Sequence, residues 1–247
     1  MHTLYDRRKQ NHILDLLTLL RPLAMRTQTK VRLGNDYDGG YVVPSAALSC
    51  DALISIGVGP DVSFDLALAQ RGAHIIQFDH TVEKPPVDHS SFRFFKKGWG
   101  PYTEGEFLSL HDIDAQLEGT PLHKLLKFDI EGAEYDIFRK ITPDDLKPYE
   151  VICCELHNFS RLTDETFFAG VKHLLECLSH FHAPVHLHAN NYANLILVEG
   201  IPIPEVLELS YLRRDLDSFD GYCRDPIPGP LDRPNHPFKA DFCVTPF

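Results

Sequence analysis

Residues 51–72, DALISIGVGPDVSFDLALAQRG, decide the fold. Asp51 to Ile56 reads as a buried strand, and it ends in Gly57-Val58-Gly59. Asp61 to Gln70 then reads as a helix, with Asp61 as its N-cap and Gly72 as its stop. A strand that turns through Gly-x-Gly into a helix is the opening unit of a doubly wound sheet.

The alternation continues beyond this unit. His74 to Asp79, Phe92 to Lys96, Lys124 to Ile130 and Glu150 to Leu156 read as further strands. Helical segments are expected at Asp112 to Leu117, Ala133 to Ile141 and the long amphipathic Thr163 to Ser179. Ala183 to His188 and Ala193 to Val198 close the set. Only Ala189 to Tyr192 separates them, too little for a crossover helix, so this pair is expected to be antiparallel. The pattern predicts an α/β fold of the class I methyltransferase (Rossmann-like) type: seven strands, mostly parallel, an antiparallel last strand, and helices on both faces.

The chain of 247 residues suits a single domain that buries its core without staples. Residues 1–48 are expected to give an N-terminal helix (Gln10 to Ala24, stopped near Pro22) and a cap segment. Residues 49–200 form the α/β core, and 201–247, with eight of the 18 prolines, an irregular C-terminal wrap. A net charge of −11 argues against nucleic acid or an anionic membrane as partner. No apolar run reaches the ~18 residues of a membrane span. Six scattered cysteines without a CxxC are expected to be reduced thiols in a cytoplasmic protein.

Two stretches carry chemistry. After the first strand, Gly57 and Gly59 let a ligand approach the backbone, and Asp79 ends the second strand where such folds place a ribose-binding acid. Position 62 is valine, so the third glycine of the dinucleotide fingerprint is missing and a pyrophosphate ligand is disfavoured. The fourth strand runs into Lys127-Phe128-Asp129-Ile130-Glu131-Gly132-Ala133-Glu134, where Asp129 and Glu131 share a face. The fifth strand ends in Glu155, His157 and Asn158. Paired strands lie about 4.8 Å apart, so these carboxylates and the imidazole should meet in one crevice. Carboxylates that close raise one another's pKa or recruit a cation. Capping of the following helix is the plainer role for Asp129 or Glu131.

These motifs resemble the FkbM-type methyltransferases. KFDIEGAEYDIF is similar to their DxEGxE signature, RLGNDYDGGYVV to an upstream DGGYV segment, and SIGVGPDVSFD to their cofactor loop. CCELHNF and HANNY resemble their later strand ends, and the likeness spans residues 30 to 200. It implies S-adenosylmethionine as cofactor and O-methylation of a hydroxyl on a sugar or small metabolite. Ser55 stands where many methyltransferases carry an acid, so Asp38 or Asp61 would hold the methionine ammonium instead.

Asp38-Gly39-Gly40 reads either as a type I′ turn or as a cover over the cofactor. Trp99 either stacks on the adenine or packs in the core. His180, His182, His186 and His188 invite a zinc reading, but no acidic or cysteine partner completes a metal spacing, so solvated or core histidines are expected. Asn190 and Asn191 suit a turn, with contact to a substrate hydroxyl as the sharper reading. Glu131, Asn158 and Asn190 are the expected substrate contacts. For catalysis His157 is the first candidate base, because its ordinary pKa of roughly 6.5 lies near working pH. Asp129 is the second, as base or hydroxyl anchor, and Glu155 stands beside them. A divalent cation such as Mg²⁺ would fall to Asp129 and Glu155. Competing readings are a nicotinamide oxidoreductase, weakened by Val62 and the lack of Tyr-x-x-x-Lys, and a non-catalytic protein that kept the fold.

Overall fold

The computed structural model describes residues 5–244. Its centre is a seven-stranded sheet: β1 (Ala52–Ile56), β2 (His74–Phe78), β3 (Phe92–Phe95), β4 (Lys124–Phe128), β5 (Tyr149–Leu156), β6 (His182–Ala189) and β7 (Leu207–Arg213). Across the sheet the order is β6-β7-β5-β4-β1-β2-β3. The pairings from β5 through β4, β1 and β2 to β3 are parallel, whereas β7 is antiparallel to both β5 and β6. This is the class I methyltransferase fold.

The seventh strand is not where the sequence reading puts it. Leu195–Val198 pairs with Ile201–Pro204 in a separate hairpin, and the sheet is closed by Leu207–Arg213, inside the stretch expected to be irregular. The two-residue turn at Glu199-Gly200 has φ of +49° and +80°, the backbone of a tight hairpin, so the chain folds back before reaching the sheet. β7 escapes a hydrophobic reading because Glu208 and Ser210 alternate with Leu207, Leu209 and Tyr211 while all five are buried. The N-terminal helix, α1 (Arg7–Thr18), also ends earlier than expected, and Leu23–Met25 pairs instead with Phe219–Tyr222 near the other end of the chain.

The remaining helices are α2 (Ser63–Ala69), α3 (Leu110–Asp114), α4 (Glu134–Phe138), α5 (Pro143–Leu146) and α6 (Glu165–Phe181). Val62, not Asp61, is the N-cap of α2, although Asp61 Oδ1 accepts the Ser63 amide at 2.9 Å. No helix among the described residues is long and apolar enough to cross a membrane.

The two faces of the sheet differ. One packs Ile56, Phe78, Phe128, Cys154 and Leu156 against α1, α4 and α6. The other is covered by α2 and by a hairpin of Lys30–Leu33 and Tyr41–Pro44. On that second face polarity rises toward the carboxyl ends of the parallel strands. A first row, Ile75, Leu53, Leu125, Val151 and Leu212, is apolar. Two residues on, in register, come Gln77, Ser55, Lys127, Cys153 and Ser210. Two further on come Glu155, Glu208 and His188. The two-residue strand period therefore lifts one face from core to crevice.

Candidate active site

The loop after β1 is held rigidly. Gly57 has φ +81°, and a Cβ there would collide with the carbonyl oxygen of Asp129. Close approach of the chain leaving β4 thus demands this glycine. Gly59, at φ +58°, differs: a Cβ would meet nothing within 4 Å, so this face of the loop is open. Asp79 does end β2, and its carboxylate grips the loop. Its Oδ2 accepts from the amides of Val58 (2.9 Å) and Gly59 (3.3 Å). Its Oδ1 accepts from the Thr81 amide (2.7 Å) and hydroxyl (2.6 Å). Burial alone would raise the Asp79 pKa, but these donors outweigh it and hold it low. From the other side Lys127 Nζ donates to the Gly57 carbonyl at 2.9 Å. Four donors fill the roughly four lone-pair positions of a carboxylate, so a ribose hydroxyl would have to take over one of them.

Ser55 is buried and donates to Asp65 Oδ1 at 3.0 Å, below the crevice. Asp61 is spent on Asn35 Nδ2 (2.8 Å) and on Ser63. Asp38 has one partner, Asn235 Nδ2 at 3.2 Å, and burial with the charges of Glu208, Asp129 and Asp61 raises its pKa against that bond. Gly39 and Gly40 lie in a seven-residue connection, residues 34–40, and not in a two-residue type I′ turn. Side chains there would strike Asp61 and the Asn35 carbonyl. Trp99 sits in the core, edge-on to Phe128 and Phe138 at 5.4 and 5.8 Å between ring centres. Its Nε1 is buried without a partner.

Asp129, Glu131, Glu155 and His157 do converge. His157 Nε2 lies 3.6 Å from Asp129 Oδ1, 3.6 Å from Glu131 Oε2 and 3.9 Å from Glu155 Oε2. Donor atoms of Asp129, Glu155 and His157 all fall within 4.8 Å of one another. Asp129 Oδ1 is buried with no hydrogen-bond donor. Burial, then the charges of Asp129 and Glu208, push the Glu155 pKa well up. Burial would lower the His157 pKa, but its hydrogen bond to Glu134 and the charges of Glu134, Asp129 and Glu131 raise it. The turns leaving β4 and β5 are both left-handed: Glu131 has φ +57° and Asn158 φ +67°. Such strain in non-glycine residues gathers at functional sites.

The other expected contacts are placed as follows. Glu131 is 87% exposed at the mouth of the crevice. The Asn158 side chain covers Gly132, occupying the space a Cβ would fill. Asn190 makes a turn, its Oδ1 accepting the Tyr192 amide at 2.9 Å, while its Nδ2 donates to Glu155 Oε1 at 2.5 Å.

Several residues of the site are absent from the sequence reading. Glu134 is fully buried against His157, and the signal for it was the last acid of KFDIEGAE. Glu208 pairs in register with Glu155 and with His188. His188 bridges Glu208 (2.9 Å) and Asp241 (3.0 Å), and its pKa is pushed up to about 10 because these two hydrogen bonds outweigh burial. His186 meets Asp232 at 2.8 Å. These core histidines therefore do have acidic partners, supplied from far along the chain. Asn235 completes the wall by donating to Glu208 and Asp38. The segment from Asp232 to Asp241 is thus a strap laid over the ends of β6 and β7.

No family model and no curated protein matches the chain. Among solved structures, a chain described as a hemolysin from Streptococcus thermophilus matches at 13% identity with a TM-score of 0.39, over 67% of this chain and 60% of that one. This chain therefore spans less than two thirds of that relative. An rRNA methylase from Clostridium thermocellum matches at 9% identity and TM-score 0.37, over 86% and 98% of the two chains. The N-methyltransferase NodS from Bradyrhizobium japonicum WM9 matches at 10% and 0.31, over 84% and 97%. Likenesses this distant say nothing of activity, and the fold rests on the sheet order itself.

Proposed function

We propose that this protein transfers a methyl group from S-adenosylmethionine to a hydroxyl of a sugar or small metabolite. The observation that carries the reading is the meeting of Asp129, Glu155 and His157 at the carboxyl ends of β4 and β5, beside a loop whose Gly59 face is open. The residues fit the cofactor: the loop presents an open face at Gly59, Asp38 offers a carboxylate to an ammonium, and Asp129 Oδ1 lacks a donor. Bound there, S-adenosylmethionine supplies a methyl on a sulfonium, ready for in-line displacement.

This chain's part is to align the acceptor oxygen with that methyl and to take the hydroxyl proton. His157 Nε2 receives the proton, and Asp129 anchors the hydroxyl. The resulting imidazolium lies between carboxylates, which stabilise it. Because the His157 pKa is raised, the neutral base form fills at higher pH, so turnover should climb with pH around a midpoint above the ordinary value of roughly 6.5. A crevice rich in carboxylates favours neutral, polyhydroxylated acceptors over phosphorylated ones. The carboxylates of Asp129 and Glu155 also suit Mg²⁺; loss of turnover in EDTA and its return with Mg²⁺ would support that second reading.

Calorimetry with S-adenosylmethionine, S-adenosylhomocysteine and NAD⁺ tests the first step. Binding of the first two, but not NAD⁺, is expected; the reverse overturns the proposal. In the second step, release of S-adenosylhomocysteine is followed over a panel of hydroxyl acceptors. His157→Ala should reduce it about a hundredfold or more, with cofactor affinity unchanged.

A further inference from the structure

We propose that Glu134 is a positioning residue that fixes the ring tautomer of His157, so that Nε2 presents its lone pair to the crevice. The inference rests on the reading of His157 as the base. Glu134 opens α4 and is fully buried. Its Oε2 accepts the Gly132 amide at 2.9 Å, and its Oε1 accepts the His157 amide at 2.9 Å. The same Oε1 lies 3.2 Å from His157 Nδ1. One amide donates to each oxygen, and Oε1 faces Nδ1 as well, so the geometry sets Oε1 as an acceptor and places the hydrogen between them on Nδ1. The opposite tautomer would set a ring lone pair against a carboxylate oxygen in a buried space, which disfavours it by about tenfold or more.

The next residue completes the clamp. Tyr135 hydroxyl donates to the His157 carbonyl at 2.5 Å, so the first turn of α4 holds the amide, the carbonyl and one ring nitrogen of His157. Glu134 also joins the two left-handed turns, since one oxygen holds Gly132, beside Glu131, and the other holds His157, beside Asn158. What remains free is Nε2. Its distances to Asp129, Glu131 and Glu155, 3.6 to 3.9 Å, exceed a hydrogen bond, so no side chain occupies it. Nε2 is therefore the ring nitrogen left to an acceptor hydroxyl.

Long-range ¹H–¹⁵N NMR of the histidine rings in the full-length protein decides the matter, at a pH where the ring is neutral and with His157→Gln to assign the signal. A pyrrole-like Nδ1 and a pyridine-like Nε2 are expected in the wild type. A protonated Nε2, or two nitrogens averaged by exchange, overturns the proposal, and this result needs no Glu134 variant to fold. Where Glu134→Gln folds, the tautomer should shift toward Nε2–H. Release of S-adenosylhomocysteine should then fall about tenfold or more in kcat, with KM and S-adenosylmethionine affinity held. An unchanged ring spectrum in that variant counts against the proposal. The His157→Gln arm separates the two readings: if it retains turnover, His157 is not the base even where the tautomer is as expected.

Discussion

The two sides of the crevice treat their carboxylates in opposite ways. On the β1–β2 side Asp79 receives four hydrogen bonds, and its pKa is held low. On the β4–β5 side Glu155 faces Asp129 and Glu208, its pKa is driven up, and Asp129 Oδ1 has no donor at all. The first side is a finished scaffold whose acid shapes a loop. The second is a surface of acceptors that needs protons, a cation or ligand hydroxyls to become satisfied. A buried carboxylate oxygen without a donor is costly, and Asp129 Oδ1 carries that cost where Glu155 and His157 also meet.

That contrast can be broken at the scaffold. The largest effect is expected for Gly57→Ala, whose Cβ would strike the Asp129 carbonyl; little folded protein should be recovered, as circular dichroism and solubility would show. Gly59→Ala should stay folded, losing about 1–2 kcal/mol to its left-handed backbone while weakening S-adenosylmethionine binding in calorimetry. If the two variants behave alike, the distinction between a packing glycine and a ligand-facing one fails.

The next effect lies in the strap. His188→Ala leaves the buried Glu208 and the partly buried Asp241 without their shared cation and should cost about 3–5 kcal/mol by denaturant titration. A histidine whose folded pKa is raised contributes fully below the unfolded value and loses that contribution as pH rises through the folded one. The gap between variant and wild type should therefore narrow as pH approaches about 10. A constant gap across that range would show that packing alone holds the strap.

Smaller losses sharpen the comparison. Asp79→Ala frees the Val58 and Gly59 amides and should cost about 1.5–3 kcal/mol in a thermal melt, besides weakening the cofactor. The least change is expected for Glu155→Gln. A carboxyl whose folded pKa is raised favours the fold below its unfolded pKa and opposes it as pH climbs through the folded value. An amide of the same shape can keep the Asn190 contact without that opposition, so Tm at neutral pH should stay level or rise slightly. A clear fall would mean that the Glu155 charge is satisfied in a way its neighbours do not suggest.

Periodicity made much of this legible. The buried run at 52–56, the Gly-x-Gly exit and Asp79 are local signals, and so is the two-residue spacing that brings Asp129, Glu155 and His157 to one edge, where the left-handed turn at Glu131 adds a fourth group. Local pattern misleads where tertiary pairing outranks it. Leu207–Arg213 joins the sheet through its backbone, with Glu208 and Ser210 buried because His188 and the hairpin at Val42 supply partners from elsewhere in the chain. Leu195–Val198 has a strand's composition but is turned away by the tight reversal at Glu199-Gly200.

Sequence by itself determined the kind of sheet, the edge on which the polar residues gather and most of the acids there, since each follows from the strand period and from short-range turns. Only the tertiary structure decided what each acid does. Asp79 became a loop anchor through four donors, and Glu134 became the partner of His157 across a helix start. Asp232, Asn235 and Asp241 became the wall of a crevice built by strands far from them in sequence. The physical reason is that hydrogen-bond partners and local dielectric set a carboxylate's role, and both are properties of the space around it.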